Sequence, residues 1–237
     1  LSSRIIDYEG KTAALSIARD ITERKRAEEE RKNSFERLRK ALEETVNALS
    51  SAVEMRDPYT AGHQHRVTNL ACLIAKEMGL SNEQIEGIRM AGIIHDVGKI
   101  RVPAEVLSWP GRLNDIDFNL IKTHPQVGYD IIKKIELPYS VAKIMLQHHE
   151  RLNGSGYPAG LKGKEILLEA RILSVADVVD AMVSHRPYRA ALGIEKALEE
   201  ISKNKGILYD PSVVDACCKI LSKKKFKFKI FKRTVIL

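Results

Sequence analysis

The chain has 237 residues, of which 44% are hydrophobic and 30% charged, a composition typical of a globular protein with one substantial core. No stretch approaches the roughly 20 apolar residues of a membrane-spanning helix, since the best candidate, residues 166–183, contains four charged residues. Three cysteines are too few for a disulfide scaffold, so we expect a cytoplasmic protein without a membrane span. The missing initial Met and signal peptide suggest a piece of a longer chain.

The net charge of +8 comes from the end of the chain. Residues 223–237 contain seven basic residues and no acidic one, and the rest has 32 basic and 31 acidic residues. A neutral body argues against nucleic-acid binding. We expect a basic tail that is disordered or loosely docked; an edge strand or a membrane-surface contact is the alternative.

The N-terminal segment predicts two short strands, residues 4–8 and 13–19, joined by a turn at 9–11. Asp20 followed three residues later by Glu23 has the spacing of a helix N-cap. The helix that follows has a seam with heptad-like spacing, formed by Phe35, Leu38, Leu42, Leu49 and Ala52. Such a seam predicts a homodimer through this helix, with a solvated spacer helix as the alternative.

Residues from about 48 to 223 predict an almost entirely helical region. Ser81 and Gln84 have the spacing of a capping box, and Asn114 is placed to cap a helix that runs to about residue 123. Further helices are expected at about 126–135, 139–149, 167–184 and 194–203. A glycine-rich irregular loop is expected at 153–163.

Five of the seven histidines and two aspartates form a set. Most of them stand at the ends of predicted helices, and Asp177 interrupts an otherwise apolar helix. These residues are His63, His95, Asp96, His124, His148, His149 and Asp177. Imidazole and carboxylate together suit first-row divalent metals such as Mn, Fe, Co, Ni or Zn, and the lack of thiolates argues against structural zinc. A single histidine of this kind is more often a buried core residue whose ring nitrogens are hydrogen-bonded. For five histidines and two aspartates together, such a purely structural role is a weaker explanation.

Such a set of ligands predicts a reaction class. A carboxylate between adjacent ligands can bridge two ions, which can share a water molecule, lower its pKa and align it with a phosphorus atom. Lys99, one helical turn beyond Asp96, can neutralise charge that develops on phosphate oxygens. We therefore expect metal-assisted phosphoester hydrolysis.

The motifs in this region resemble those of the HD-GYP domain, a branch of the HD phosphohydrolase superfamily. They are HDVGK at 95–99, HHE at 148–150 and GSGYPAGL at 154–161, with RDPYT at 56–60, DAM at 180–182, RPYR at 186–189 and YDP at 209–211. The resemblance covers some 170 residues with the motifs in order, and it implies an all-α HD-domain helical bundle that hydrolyses cyclic di-GMP to pGpG and in some members on to GMP.

The resemblance also implies roles for individual residues. One metal ion would be held by His63, His95, Asp96 and Asp177, and a second by Asp96, His124, His148 and His149, with Asp96 as the bridge. The family's usual metals are iron or manganese. Lys99 would contact the scissile phosphate and act with Asp96 in catalysis. The substrate-binding residues would be Lys99, Gly156, Tyr157, Pro158, Arg186 and Arg189.

Two positions depart from the family pattern. Some members place a Glu four residues before the first ligand His, where it helps to hold a third metal. That position is Tyr59 in this chain, so we expect a two-metal site. His185 stands where an Asp is more common, and we expect His185 and His65 to be surface residues or to lie behind the ligands.

Residues 19–25, RDITERK, resemble the end of a PAS sensor domain. We therefore expect a PAS remnant at 1–21, a helical or coiled-coil linker at 22–50, the HD-GYP domain at 51–222 and a basic tail at 223–237. An upstream sensor would then regulate the enzyme. The alternatives are an HD-type hydrolase of another cyclic dinucleotide or nucleotide, and a non-catalytic adaptor domain, against which the complete ligand set argues.

Overall fold

The computed structural model describes residues 2–9, 11–17, 20–56, 62–135, 137, 139–184 and 191–222. The chain divides into two compact units, residues 1–45 and 46–237. Among the described residues, no helix is both long enough and apolar enough to cross a membrane.

The first unit begins with an antiparallel hairpin. Strands β1 (Ser2–Tyr8) and β2 (Lys11–Ile17) pair in a register that runs from Ser2 opposite Ile17 to Tyr8 opposite Lys11. The second strand therefore starts two residues earlier than predicted, because the pairing continues up to Lys11. Residues 18–19, the predicted end of this strand, lie outside the described residues.

Helix α1 (Thr22–Glu54) follows the hairpin and reaches into the second unit. The Asp20 carboxylate accepts a hydrogen bond from the Thr22 N–H at 2.9 Å. The carbonyl oxygen of Ile21 accepts the bond from the Lys25 N–H, so the helix starts one residue later than the predicted N-cap at Asp20 implies. Phe35, Leu38 and Leu42 of the predicted seam are exposed. This is the surface on which the dimer prediction depends.

The second unit is built from helices, as predicted. They are α2 (His63–Glu77), α3 (Asn82–Ile94), a 3-10 helix (Val97–Arg101), α4 (Ala104–Leu107), α5 (Asp115–Ile121), α6 (His124–Ile132), α7 (Val141–Gln147), a 3-10 helix (Gly163–Glu165), α8 (Leu168–Val183), α9 (Ile194–Lys203) and α10 (Pro211–Leu221). Helix α8 is central, because it packs against α2, α3, α7, α9 and α10. It buries apolar residues along most of its length, among them Ile172, Leu173 and Val179.

Several helix boundaries follow from local chemistry. The capping box predicted at Ser81 and Gln84 is present at the start of α3, and Asn114 caps α5. Helix α6 begins at His124, two residues earlier than predicted, with Pro125 in its first turn. Proline is tolerated there because the first N–H groups of a helix have no intrahelical partner.

A candidate metal centre

The candidate ligands come from five separate segments of the second unit. His63 and His124 begin α2 and α6, His95 and Asp96 follow the end of α3, His148 and His149 follow the end of α7, and Asp177 lies within α8. Three overlapping groups each place one ligand atom per residue within 4.8 Å of the others: His124, His148 and His149; His63, His95 and Asp177; and His95, Asp96 and His148. The fold thus brings all seven predicted ligands into one cluster.

The Asp96 carboxylate lies between two groups of histidines. Its Oδ1 is 3.3 Å from Nε2 of His124. Its Oδ2 is 3.6 Å from Nε2 of His95 and 4.0 Å from Nε2 of His63. The two oxygens therefore serve opposite halves of the cluster, an arrangement that suits a bridging carboxylate.

Asp177 and His148 add donor atoms to the two halves of the cluster, the half around His63 and the half around His124. Asp177 Oδ1 is 3.3 Å from Nε2 of His63, and its Oδ2 is 3.9 Å from Nδ1 of His149. On the other side, Nε2 of His148 is 3.4 Å from Nε2 of His124. Asp177 therefore lies between His63 and His149, and His148 lies beside His124.

Three histidines are oriented by backbone carbonyls. Nδ1 of His95, His124 and His148 lies 2.7, 2.7 and 2.5 Å from the carbonyl oxygens of Gly92, Ile121 and Met145, respectively. A carbonyl can only accept, so Nδ1 carries the hydrogen and Nε2 presents its lone pair to the cluster. This is the tautomer that binds a metal through Nε2.

His63 is oriented by a carboxylate instead. Its Nδ1 is 2.7 Å from Oδ2 of Asp180, which is fully buried. The Arg66 guanidinium donates to both oxygens of the same carboxylate, at 2.7 and 3.0 Å. Sequence reasoning named Asp180 within a motif but gave it no role, although its position one turn after Asp177 on α8 was a usable signal.

Burial and neighbouring charges shift the pKa values of the carboxylates and imidazoles in the cluster. Burial opposes charge on Asp96, but Lys99 and the surrounding histidines hold its pKa well below the ordinary value. Burial lowers the pKa of His124 to about 4 and that of His148 to about 3. Burial also disfavours charge on His63, but hydrogen bonds with Asp177 and Asp180 raise its pKa to about 9.

These features fit divalent metal ions. The pKa values of Asp96 and Asp177 are held low, which favours their charged forms, and those of His124 and His148 are lowered, which favours their neutral forms. Within the described part of the chain, Nε2 of His95 is buried and has no hydrogen-bond partner. A buried polar atom without a partner is costly, and a cation at this point would satisfy it. The nitrogen and oxygen donors, without a thiolate, match the preferences of first-row metals such as iron and manganese.

Lys99 lies at the edge of the cluster on the 3-10 helix. Its ammonium group donates to Oδ2 of Asp96 at 2.7 Å. The adjacent Gly98 contacts the start of α6 so closely that a Cβ there would lie 1.9 Å from the carbonyl oxygen of His124. A residue with a side chain cannot occupy this position unless the segment carrying His124 moves.

The glycine-rich loop is held beside the cluster by Glu150. This buried carboxylate accepts hydrogen bonds from the N–H groups of Ala159 and Leu161, at 2.8 and 3.0 Å. The Tyr157 ring lies 4.7 Å from the His149 ring, measured between centroids. A Cβ on Gly156 would lie 2.4 Å from Cα of Glu150, so the loop depends on glycine for its close approach.

Four residues with predicted roles lie outside the described residues: Tyr59, His185, Arg186 and Arg189. The basic tail at 223–237 lies outside them as well. His65 is exposed on α2, in agreement with its prediction as a surface residue.

Comparison with known proteins identifies the family. Residues 47–213 match the family model of the HD domain, so the chain belongs to the HD domain family. It is also similar in fold to a solved HDG"Y"P protein from Bdellovibrio bacteriovorus, with a TM-score of 0.57 and 22% identity over 67% of this chain and 51% of that one.

Two curated relatives have named activities. The chain is 44% identical to the cyclic di-GMP phosphodiesterase response regulator RpfG of Xanthomonas campestris, over 73% of this chain and 46% of the relative. It is 37% identical to 3'3'-cGAMP-specific phosphodiesterase 3 of Vibrio cholerae, over 76% of this chain and 39% of the relative. The chain therefore spans less than half the length of these relatives.

Proposed function

We propose that this chain is a metal-dependent phosphodiesterase that hydrolyses cyclic di-GMP to pGpG, and in a further step to GMP. The observation that carries the proposal is the convergence of five histidines, Asp177 and Asp96 in one cluster, in which backbone or carboxylate acceptors orient four of the histidines. The relative named as a cyclic di-GMP phosphodiesterase gives the substrate class.

The chain's own donors divide into two sets around Asp96. One ion would be held by His63, His95, Asp177 and Asp96, and the other by Asp96, His124, His148 and His149. Iron or manganese is the metal that we propose, as the resemblance to the HD-GYP domain implies, and the donor types are compatible with both. Two such ions supply Lewis acidity and lower the pKa of a water molecule between them.

The reaction adds water across one phosphodiester bond. The oxygen of water bonds to phosphorus, the bond from phosphorus to the 3′ oxygen breaks, and that oxygen takes up a proton. Lys99 is held by Asp96 at the edge of the cluster, where its ammonium can bind a non-bridging phosphate oxygen. Its charge would stabilise the transition state, in which charge spreads over the phosphate oxygens.

The loop that contains Gly156, Tyr157 and Pro158 would form one wall of the substrate pocket. Tyr157 lies against His149 and is placed to exclude water from that side of the cluster. Glu150 keeps the loop in this position through two backbone N–H groups. Arg186 and Arg189 would bind the outer phosphate or a guanine, since guanidinium groups match both.

A second candidate substrate is 3'3'-cGAMP, which the name of one relative supports. The donor set does not discriminate between the two dinucleotides, because both present the same phosphodiester to it. Residues that contact the bases, such as Arg186 and Arg189, would discriminate between cyclic di-GMP and 3'3'-cGAMP. A non-catalytic adaptor role is disfavoured by the complete and converging set of ligands.

The remainder of the chain suggests how such an enzyme would be organised. We propose a PAS remnant at 1–21, a linker helix at 22–50, the catalytic domain at 51–222 and a basic tail at 223–237, with an upstream sensor. The exposed seam of α1 supports a homodimer through that helix. The cytoplasmic location stays a prediction from the sparse free cysteines.

The experiment that tests the proposal is hydrolysis by the full chain after anaerobic reconstitution with Fe²⁺ or Mn²⁺. Cyclic di-GMP and 3'3'-cGAMP are supplied separately, the products are separated by chromatography, and the metal content is measured on the same sample. About two metal ions per chain with production of pGpG would support the proposal. Faster hydrolysis of 3'3'-cGAMP would favour the second candidate.

Asp96→Asn provides the control, since it keeps the size of the side chain and removes the charge between the two sets of donors. Turnover by this variant equal to that of the unaltered chain would refute the metal assignment. Absence of bound metal in the reconstituted unaltered chain would favour the non-catalytic adaptor role.

A further inference from the structure

The end of helix α1 makes three hydrogen-bonded links to segments that carry candidate ligands. The Ser50 hydroxyl, which is buried, donates to the carbonyl oxygen of Ile93 at 2.7 Å. Ile93 lies in the last turn of α3, two residues before His95. The first link therefore fixes α1 to the segment that presents His95.

The second link runs from Glu54, the last residue of α1, to the start of α2. Its Oε2 accepts a hydrogen bond from the Gly62 N–H at 3.2 Å, and its Oε1 accepts one from the Gln64 N–H at 3.4 Å. Gly62 is the N-cap of α2 and offers no side-chain cap. Glu54 supplies the missing acceptor and places a negative charge at a helix N-terminus, where it is stabilising.

The third link is made by Arg56, two residues after α1. Its guanidinium donates to the carbonyl oxygen of Ile100 and, at 3.3 Å, to that of Val102. Both acceptors lie at the end of the 3-10 helix that follows Asp96 and carries Lys99. This link fixes the segment that carries the central carboxylate and the candidate phosphate-binding lysine.

The three links share a pattern. They reach the segments of His63 and His95, which belong to one half of the centre, and the segment of Asp96, which both halves share. None of these bonds reaches the segment of His124 or that of His148. His63 is held from two directions, because Asp180 orients its ring while Glu54 holds the first turn of its helix. Neither Glu54 nor Ser50 contacts a candidate ligand side chain in these bonds, so both would act by position.

We propose that the C-terminal end of α1 positions one half of the metal centre, chiefly through Glu54 and the first turn of α2. A change at this end of α1 would alter the affinity for the ion at His63 and leave the ion at His124 and His148 unchanged. The helix that enters the catalytic unit would thereby regulate occupancy of one ion. This inference rests on the two-ion centre of the proposed function.

The test is metal binding by Glu54→Gln in the full chain, measured without substrate. Metal-free protein is titrated with Mn²⁺ by calorimetry and with Co²⁺ by visible absorption, which reports the ligands around each ion. We expect two ions in the unaltered chain. In the variant we expect one site to weaken about tenfold, the lower end of the loss found when residues behind metal ligands are changed, and the other to keep its affinity.

Matched variants separate positioning from general destabilisation. Glu44→Gln makes the same change at an exposed position of α1. Ser50→Ala removes the link to Ile93 and should weaken the same ion as Glu54→Gln, and Ser51→Ala is its exposed control. Asp180→Asn marks the His63 half, because it removes the carboxylate that orients the His63 ring. We expect Glu54→Gln and Asp180→Asn to weaken the same ion, with the same change in the Co²⁺ spectrum, and the two exposed controls to leave both sites unaltered.

Several results would overturn the inference. These are unchanged affinity at both sites in Glu54→Gln, equal weakening of both sites, loss of a different ion from that lost in Asp180→Asn, or a single ion in the unaltered chain. Binding of two ions without hydrolysis of either cyclic dinucleotide would instead contradict the proposed function. The comparison of affinities would still decide the inference about α1.

Discussion

Replacing Gly98 by Ala tests how closely the candidate centre depends on one backbone contact. A Cβ at this position would lie 1.9 Å from the carbonyl oxygen of His124 and 2.6 Å from the backbone nitrogen of Gly128. Ordinary contacts begin at 3.4 Å, so the two segments must separate by about 1.5 Å. The clashing atoms belong to the backbone and cannot be relieved by a side-chain rotation.

The expected effects follow from that displacement. Overpacking of this kind costs about 1–3 kcal/mol of folding free energy. Because the movement carries His124 away from Asp96, we also expect weaker metal binding and a loss of kcat/KM of at least about a hundredfold, the loss that a 1 Å misplacement can cause. Denaturant unfolding, metal content and hydrolysis of cyclic di-GMP measure the three effects.

Gly128→Ala is the matched control on the opposite side of the same contact. Its Cβ would meet the flexible end of Met145 at 3.3 Å, and alanine is favoured over glycine in a helix by about 0.5–1 kcal/mol. We expect this variant to keep its metal and activity. If Gly98→Ala also kept its stability, metal content and activity, the reasoning from this contact would be refuted.

Three further predictions concern the ligands and the loop. Asp96→Ala should lose both metal binding and hydrolysis, as measured by elemental analysis and product chromatography; full activity would contradict the bridging role. Glu150→Gln should lower kcat/KM about tenfold, which corresponds to a loss of about 1.4 kcal/mol of transition-state stabilisation. The metal content should stay unchanged, because the Glu150 carboxylate bonds the glycine-rich loop and does not bond a candidate ligand. Mn²⁺ added to metal-free protein at a hundred times its Kd should raise the free energy of unfolding by about 2.7 kcal/mol for each site that it occupies; an unchanged unfolding midpoint would argue against a metal site.

The helices and the ligands were the predictable part of the molecule. Helix starts are encoded locally, as at Ser81 and Asn114, where a side chain and a backbone N–H three residues later suffice. The ligands were recognisable because histidines and aspartates at helix ends have few other roles as a set. The structure brings these residues together in one cluster, and their role as metal ligands stays a prediction.

The supports of these ligands were not predictable in the same way. The position of Asp180 one turn after Asp177 indicates that it lies near the cluster, but no local pattern identifies His63, 117 positions away in the chain, as its partner. Glu54 ends a highly charged helix, where a carboxylate is expected to face solvent. The requirement for glycine at position 98 depends on the approach of α6, which is a property of the packed helices. Each of these roles arises from tertiary contacts between segments.

The structure also explains why His63 needs a different support from the other histidines. The last four carbonyl groups of a helix have no intrahelical partner, and Gly92, Ile121 and Met145 all lie in the last turn of their helices. A histidine three residues later finds an acceptor for its Nδ1–H in one of these carbonyls.

His63, like His124, begins a helix, where the free backbone groups are N–H donors and cannot accept a hydrogen bond from a histidine. Unlike His124, His63 has no helix end three residues before it, because α1 ends at Glu54. Its ring must therefore be oriented by a side chain from elsewhere, and Asp180 of α8 fills that role while Arg66 neutralises the buried charge. Orientation by a side chain can be lost through one substitution, whereas orientation by a carbonyl cannot. We therefore expect the half of the centre that contains His63 to be the more sensitive half, and the one through which α1 can act.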